Sequence, residues 1–514
     1  MDLKDLKKVF EIISKDQSDR TRDEKILSST GMEFAPEGQA TLKQVEDLCL
    51  SGRVCCDSRV VKPGDVFVAV RGTAVDGHDF IDQALGSGAA VVVAEQAVNV
   101  PQGVRLVLVP NSAVALGELA QAAAGNPTGK LSTMAVTGTN GKTTVAYLVR
   151  HICRIAGRLC GMIGTVEYDL GGQKPLVAQN TTPDGVQLAQ MMQQMLQHQV
   201  QMMVMECSSH GLDQDRAAGI DFNAAAFTNL SGDHLDYHRD TESYLAAKGK
   251  LFAGLSEDAF AILNAEDKCS QQLAGMTRGR IWRFGIDKDV EICAHIKQRG
   301  LWGSEFMLRA LGEERKVRTA LVGEHNVSNC LAAVGLTMAI GVDVDTIAEA
   351  IESFAGVPGR LERVNVEGEF TVLVDYAHTD DALGHVLQSL RKFTSARLIL
   401  VFGCGGQRDT SKRPRMAQKA QEWADLILVT NDNPRREDPQ QILAHIRAGF
   451  SKSGRKKVTE LPDRREAICY ALEQARKGDV VLIAGKGHED YQLVGTEKRH
   501  FDDREVAREW LNNH

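Results

Sequence analysis

Val136-Thr137-Gly138-Thr139-Asn140-Gly141-Lys142-Thr143-Thr144 decides the fold of the middle of this chain. The stretch ends an apolar run, Leu131 to Val136, that has the character of a buried strand. It precedes Val145 to Ile155, where apolar residues recur at helical spacing. Strand, glycine loop and helix together cradle a nucleotide phosphate. Glycines let backbone N–H groups close around oxygens, and the helix N-terminus adds partial positive charge. Gly138, Thr139, Asn140, Gly141, Lys142, Thr143 and Thr144 are therefore candidate ATP-binding residues. Lys142 is expected to reach the terminal phosphates and the Thr143 hydroxyl to ligate Mg²⁺. The strict pattern wants glycine where Val136 stands, so spacing alone also allows an ordinary glycine turn.

Composition narrows the rest. A chain of 514 residues suggests several domains. Its 43% hydrophobic and 25% charged residues are those of a soluble globular enzyme. A net charge of −8 gives no basic footprint for nucleic acid, so an anionic substrate has to be held by local Lys and Arg. No apolar run is long enough to span a bilayer, and residues 1–10 lack a signal-peptide core. Eleven scattered cysteines without a C-x-x-C motif fit a reducing, cytoplasmic setting.

Along the chain, residues 3–13 read as a short helix and 15–30 as a loose, charged insertion. Strands are expected at Asp65–Val70, Ala89–Ala94 and Arg105–Val109, with a helix at Asp79–Leu85, forming a small α/β unit over 1–110. The middle domain, 111–356, has strands at Leu131–Val136, Met202–Met205, Ala224–Phe227 and Phe260–Leu263, and Val357-Pro358-Gly359 marks its end. In 357–514, strands Val372–Val374, Leu398–Phe402, Leu426–Val429 and Val480–Ile483 alternate with helices such as Ala382–Arg391, Pro414–Trp423 and Gln440–Phe450. The fold class is α/β in three domains, with mostly parallel sheets covered by helices.

Several polar blocks follow strands. Glu206, in Met205-Glu206-Cys207-Ser208-Ser209-His210, is a carboxylate at a strand end, suited either to Mg²⁺ or to capping. The block 228–238 brings two histidines and two aspartates together, but without a cysteine pair or H-E-x-x-H a polar loop beside the phosphate site is favoured over zinc. Taken alone, Lys248 reads as a solvated helix lysine, and Asn180-Thr181-Thr182-Pro183-Asp184 as a hydroxyl-rich turn before a helix that suits capping and ligand contact equally. Three loops, Gly403–Asp409, Asn431–Arg435 and Gly485–Asp490, each follow a C-terminal strand. In open α/β sheets ligands bind beyond the carboxyl ends of strands, and this mixture of cations and carboxylates suits a zwitterionic amino acid.

In order and spacing these blocks resemble the Mur ligases, the ATP-dependent amide-forming enzymes of peptidoglycan synthesis, from about Leu50 onward. Further matching blocks are Asp57-Ser58-Arg59, His325-Asn326, Gly359-Arg360 and Asp375-Tyr376-Ala377-His378. The resemblance implies a domain for a UDP moiety, a central P-loop ATPase-like domain and a Rossmann-like C-terminal domain. It implies ATP and Mg²⁺, with Lys142, Glu206, His234 and Lys248 catalytic. Lys248 matches a lysine that is carbamylated in the family. As a carbamate it would join Glu206 and His234 around one metal, with Thr143 near another. Asn326, Arg360 and Asp375 match nucleotide-handling positions.

The resemblance also assigns substrate residues. Ser58, Asn180, Thr181, Thr182, Ser208, Gln214 and Arg216 are expected on a UDP-N-acetylmuramoyl-dipeptide. Arg408, Asp432, Asn433, Pro434, Arg435, Gly485 and Glu489 are expected on an amino acid. Asp432-Asn433-Pro434-Arg435 is similar to the signature of the form that takes meso-diaminopimelate. The alternatives are L-lysine, a catalytically silent homologue, and folylpolyglutamate synthetase, which Thr143-Thr144 fits poorly. The chain departs from the family pattern at Gln407, Gly232 and Asp380, and 15–41 has no counterpart.

Overall fold

The computed structural model describes residues 53–72, 75–231, 237–238, 240–364 and 369–513. The helix expected over 3–13 and the insertion after it lie outside them, as do His234 and its neighbours 232–236. The chain divides into two compact units. One runs to Cys293 and includes Arg309–Glu313 and Ser328–Ala350; the other comprises Ala294–Leu308, Glu314–Val327 and the chain from Ile351.

The first unit opens with a parallel sheet of β1 (Val54–Cys55), β2 (Val66–Val68), β3 (Val91–Ala94) and β4 (Arg105–Leu108), in that order. Its valine-rich central strands are buried on both faces, as parallel strands are. Val66, Val68, Val91 and Val93 pack against α2 (Ser112–Ala123), while Phe67, Val92 and Ala94 pack against α1 (Ile81–Gly86). Asn111 caps α2 by accepting from the N–H groups of Ala113 and Val114, a contact typically worth about 1 kcal/mol. The helix expected from Asp79 is a 3₁₀ turn, Gly77–Phe80, capped by Asp76, and the α-helix begins only at Ile81.

The central sheet of this unit is built on β5 (Ser132–Thr137). Beside it lie β9 (Met202–Glu206) and β10 (Ala224–Phe227). Outward from β9 come β6 (Cys160–Ile163), β7 (Glu167–Asp169) and β8 (Leu176–Val177), and outward from β10 come β11 (Phe260–Asn264) and β12 (Arg280–Ile286). Strands β6, β9, β5, β10, β11 and β12 run parallel, and β7 pairs antiparallel with both β6 and β8. Helices α3 (Lys142–Ile155), α4 (Gly185–Gln197), α5 (Ser209–Asp213), α6 (Thr241–Ala253) and α7 (Cys269–Met276) connect them. Leu188, Met192 and Met195 recur at three- and four-residue spacing along α4 and close over Met203, Met205 and Ala135 of the sheet.

Register sets the site. Val136 pairs with Glu206 and Thr137 with Phe227, so β5, β9 and β10 end at one level. The glycine loop leaves the middle strand there.

Among the strands that the sequence reading does not name are β13 (Ile292–Gly300), β14 (Gly303–Ala310) and β15 (Glu313–Thr319). Their outward positions carry Arg, Lys and Glu, so no apolar run betrays them. The last strand leads to α8 (Glu324–Ala339) and α9 (Val344–Ser353).

The second unit holds a six-stranded sheet: β16 (Glu362–Arg363), β17 (Thr371–Asp375), β21 (Val480–Ala484), β18 (Leu398–Phe402), β19 (Leu426–Val429) and β20 (Val458–Glu460), in that spatial order. Only the edge strand β16 is antiparallel. Alternation divides its core. Leu400, Phe402, Ile427 and Leu482 pack against α10 (Asp380–Arg391), α11 (Lys412–Trp423) and α12 (Pro439–Arg447). Ile399, Val401, Leu428 and Ile483 pack against α13 (Arg464–Gln474) and α14 (Asp503–Asn513). A hairpin, β22 (Tyr491–Val494) and β23 (Glu497–His500), follows β21.

Candidate active site

The glycine loop turns through Gly138 at φ +145° and Gly141 at φ +91°, conformations that side chains rarely adopt. A methyl group at 138 would also overlap the Thr228 hydroxyl. Neighbouring strand ends brace the loop: Thr139 N–H donates to Asn229 O (2.8 Å), and Asn140 N–H to Asn229 Oδ1 (3.0 Å). Lys142 begins α3, as the sequence implies, and its Nζ donates to the carbonyls of Gly138 and Thr139, both at 2.8 Å.

Glu206, the last residue of β9, is fully buried. Its Oε2 accepts from the Thr143 hydroxyl at 2.9 Å and the Thr165 hydroxyl at 3.0 Å, and its Oε1 accepts from Thr165 N–H at 2.9 Å. The two sequence-chosen residues, Thr143 and Glu206, therefore meet. Thr165, which clamps the carboxylate from both sides, was missed; a Gly-Thr pair directly after an apolar strand was the available signal.

Lys248 corrects the reading it has in isolation. It lies on α6, the expected helix, yet is 1% exposed. Its Nζ donates to Gly138 O at 3.1 Å and sits 4.4 Å from the centre of the Tyr244 ring. Tyr244 in turn bonds the Thr139 hydroxyl at 3.1 Å. Among the described residues no group of three or more His, Cys, Asp or Glu side chains could hold a metal ion. The oxygen donors present, the Glu206 carboxylate and the Thr143 hydroxyl, are of the kind Mg²⁺ takes.

A second cluster adjoins Glu206. The Thr182 hydroxyl donates to Glu206 O (3.0 Å) and accepts from Ser208 N–H (2.9 Å), and the Ser208 hydroxyl caps α5 through Gly211 N–H (3.0 Å). Arg216 donates to Thr182 O (3.0 Å) and to Gln214 Oε1 (2.8 Å). Thr181 and Thr165 bond through their hydroxyls at 3.2 Å. Asn180 is held by its backbone: the Tyr168 hydroxyl donates to Asn180 O (2.6 Å) and accepts from the N–H groups of Gln179 (3.1 Å) and Asn180 (2.9 Å). Asp184 does cap α4, so that part of the turn is structural. Ser58 lies apart, after β1, with its hydroxyl on Gln83 Oε1 at 2.8 Å.

In the second unit, the loops after β21, β18 and β19 leave adjacent parallel strands. Asn433 Nδ2 donates to Glu489 Oε2 at 2.8 Å, and its Oδ1 accepts from Leu493 N–H at 2.9 Å. Arg435 adopts φ +54°, and its guanidinium donates to Gly406 O at 2.9 Å. The hairpin straps this turn: Arg435 N–H donates to Leu493 O (2.9 Å), Gly495 N–H to Arg435 O (2.6 Å), and Gln492 Nε2 to Asp432 O (2.8 Å). Asp432 Oδ2 lies 2.8 Å from where a Cβ on Gly485 would sit. Pro434 is buried within the turn, and Arg408 is exposed.

Arg413 and Glu437 support the site from behind and were not anticipated. Buried Arg413 forks onto Glu437 at 2.6 and 2.9 Å and also donates to Gly405 O at 3.2 Å. The Arg413 fork holds the Glu437 carboxyl down at about 2.

The remaining candidates, Asn326, Arg360 and Asp375, also belong to the second unit. Asn326 Nδ2 donates to Val322 O at 2.9 Å. Arg360 lies 4.8 Å over the Tyr376 ring. Asp375 accepts from Leu361 N–H (2.7 Å) and Ala377 N–H (2.8 Å), and burial raises its carboxyl above the ordinary range.

Family models match most of the chain: "Mur ligase family, catalytic domain" over 52–131, "Mur ligase middle domain" over 136–337, and "Mur ligase, glutamate ligase domain" over 359–487. A protein of Geobacillus thermodenitrificans (strain NG80-2), named UDP-N-acetylmuramoyl-L-alanyl-D-glutamate--2,6-diaminopimelate ligase, is 46% identical over 88% of this chain and 93% of its own. One of the same name from Gloeobacter violaceus (strain ATCC 29082 / PCC 7421) is 42% identical over 95% and 97%. A solved structure of a ligase of that name superposes with a TM-score of 0.67 at 33% identity, over 90% of this chain and 94% of the other. A MurF ligase from Thermotoga maritima in complex with ADP, 20% identical with a TM-score of 0.55 over 90% and 98%, shares the fold.

Proposed function

We propose that this chain, which belongs to the Mur ligase family, is an ATP-dependent ligase that adds meso-2,6-diaminopimelate to UDP-N-acetylmuramoyl-L-alanyl-D-glutamate in peptidoglycan synthesis. One observation carries the activity: the Gly138–Thr144 loop, the Thr143–Glu206 contact and buried Lys248 converge where β5, β9 and β10 end. The substrates follow the name of its relatives and the polar set around Asn433, Arg435 and Glu489. Residues 1–110 would serve the UDP moiety, 111–356 ATP, and 357–514 the amino acid. The enzyme would work in the cytoplasm. No helix among the described residues is long and apolar enough to cross a membrane.

The reaction turns the γ-carboxylate of the D-glutamate residue into a mixed anhydride with phosphate before an amine attacks it. ATP gives its γ-phosphoryl group to that carboxylate, forming an acyl phosphate and ADP. The neutral amine of diaminopimelate attacks the acyl carbon, and the tetrahedral adduct collapses to an amide and phosphate. Loop N–H groups hold the phosphates, and Lys142 offsets charge as two anions approach. Mg²⁺, when bound near Thr143 and Glu206, supplies further charge neutralisation. A carbamate on Lys248 would add an anionic oxygen to that donor set, and the family resemblance adds His234 to it. The Thr182, Ser208 and Arg216 cluster would orient the acceptor, and Asn433, Arg435 and Glu489 the far end of the amino acid.

The test is ADP release with UDP-N-acetylmuramoyl-L-alanyl-D-glutamate and a panel of amino acids. Release strictly dependent on both substrates, greatest with meso-diaminopimelate, is expected. Equal release with L-lysine would reassign the amino acid, and no release with any would defeat the ligase reading.

A further inference from the structure

We propose that Lys486 is a specificity-determining, positioning residue that sets the amino-acid site to accept a zwitterionic rather than a purely cationic side-chain end; this rests on the proposed function. Lys486 is fully buried, an expensive place for an ammonium unless it is paired. Its Nζ donates to Glu489 Oε2 at 3.1 Å and to Asn433 Oδ1 at 3.3 Å, and lies 5.4 Å from the centre of the Tyr491 ring.

Two consequences follow from those contacts. Asn433 Oδ1 receives Lys486 Nζ and Leu493 N–H, both obligate donors, so its amide cannot flip and Nδ2 must face Glu489. Glu489 Oε2 is thereby used twice, by Asn433 and by Lys486, while Oε1 holds no hydrogen bond to a described residue. That oxygen keeps its capacity to accept from a ligand ammonium.

Charge balance gives the specificity. Asp432 and Glu489 contribute two carboxylates and Arg435 and Lys486 two cations, while the third cation, Arg408, is exposed and screened by solvent. Such a set suits a ligand end that bears one ammonium and one carboxylate. Without the Lys486 charge the carboxylates are in excess, which suits an ammonium alone. An amino acid whose far end lacks the carboxylate, as L-lysine does, would lose little. One that carries it would meet uncompensated negative charge and an Asn433 held by Leu493 and Glu489 alone.

The test compares kcat/KM for meso-diaminopimelate and L-lysine in the full-length wild type, K486M, E489Q and K486M/E489Q. K486M should lower the diaminopimelate-to-lysine ratio roughly 10²-fold, the scale of breaking a buried charge pair. KM for ATP and for the UDP-linked acceptor should stay within about two-fold, because those sites are untouched. On the E489Q background the same change should move the ratio less than about three-fold, since the carboxylate to be balanced is gone. An unchanged ratio in K486M, or an equal fall in both backgrounds, overturns the proposal while leaving the ligase reading intact. A wild type without preference for diaminopimelate overturns the proposal and reassigns the amino acid, with the ligase activity itself still standing. If K486M does not fold, K486Q carries the same comparison.

Discussion

The ammonium of Lys248 sits 3.1 Å from the carbonyl oxygen of Gly138, inside the protein and on the inner side of the phosphate loop. A buried amine there is poised to gain from becoming an anion that a cation can meet. Addition of the amine to CO₂, with loss of one proton, gives that carbamate. Lys248→Ala is expected to lose nearly all ligase activity and to regain part of it in formate or acetate, which refill the anionic position. Steady-state ADP release with and without these salts checks it. A mutant as active as the wild type would remove the carbamate from the mechanism.

Lys142→Ala should slow turnover by roughly 10²–10³-fold, the cost of losing one preorganised charge at a site of developing negative charge. Nucleotide binding, followed by calorimetry with ADP, should weaken as well. Activity within a few-fold of the wild type would mean that this loop does not hold the reacting phosphates.

Tyr168→Phe removes one oxygen and with it three hydrogen bonds that hold Gln179 and Asn180. The expected result is a higher KM for the UDP-linked acceptor with the KM for ATP nearly unchanged, since the phosphate loop is not contacted. Equal effects on both constants would point to a general folding defect.

Arg435→Ala should cost diaminopimelate turnover far more than ATP binding. A guanidinium can meet a carboxylate with two parallel bonds. The measurement is kcat/KM for the amino acid beside the affinity for ADP. Loss of both together would speak against a role in amino-acid choice.

The Arg413–Glu437 fork predicts an acid-sensitive contribution to the second unit. Arg413 holds the Glu437 carboxyl at about 2, below the ordinary glutamate value of 4.5. The stabilisation is therefore complete above about 4.5 in pH and is lost as pH falls toward 2. Denaturation midpoints of the wild type should drop over that window, and those of Glu437→Gln should drop less. Parallel curves would rule the fork out as the source.

Much of the fold was legible because parallel strands buried on both faces read as continuous apolar runs. Leu398–Phe402, Ala224–Phe227 and Leu426–Val429 fall where the sequence puts them. Strands β13 to β15 were not, because one face of each carries charged residues. At the site, Gly138 to Thr144 and Glu206 announced themselves by type and spacing. Lys248 did not, since a lysine in a helix looks solvated until the tertiary fold covers it. Tyr168, Lys486 and Arg413 act by holding other groups, and that geometry has no local signature; Thr165 offers only the Gly-Thr pair after its strand.

The strap between the Asp432–Arg435 turn and the Tyr491–Val494 strand bears on how amino-acid choice could change over evolution or in engineering. Each piece sets the other's register, through Arg435 with Leu493 and Asn433 with Leu493. Turn and hairpin thus form a cassette split by more than fifty residues of chain. Exchanging the turn alone between relatives would graft a recognition element onto a mismatched backing. A successful transplant has to carry both pieces, so drift in one constrains the replacements open to the other.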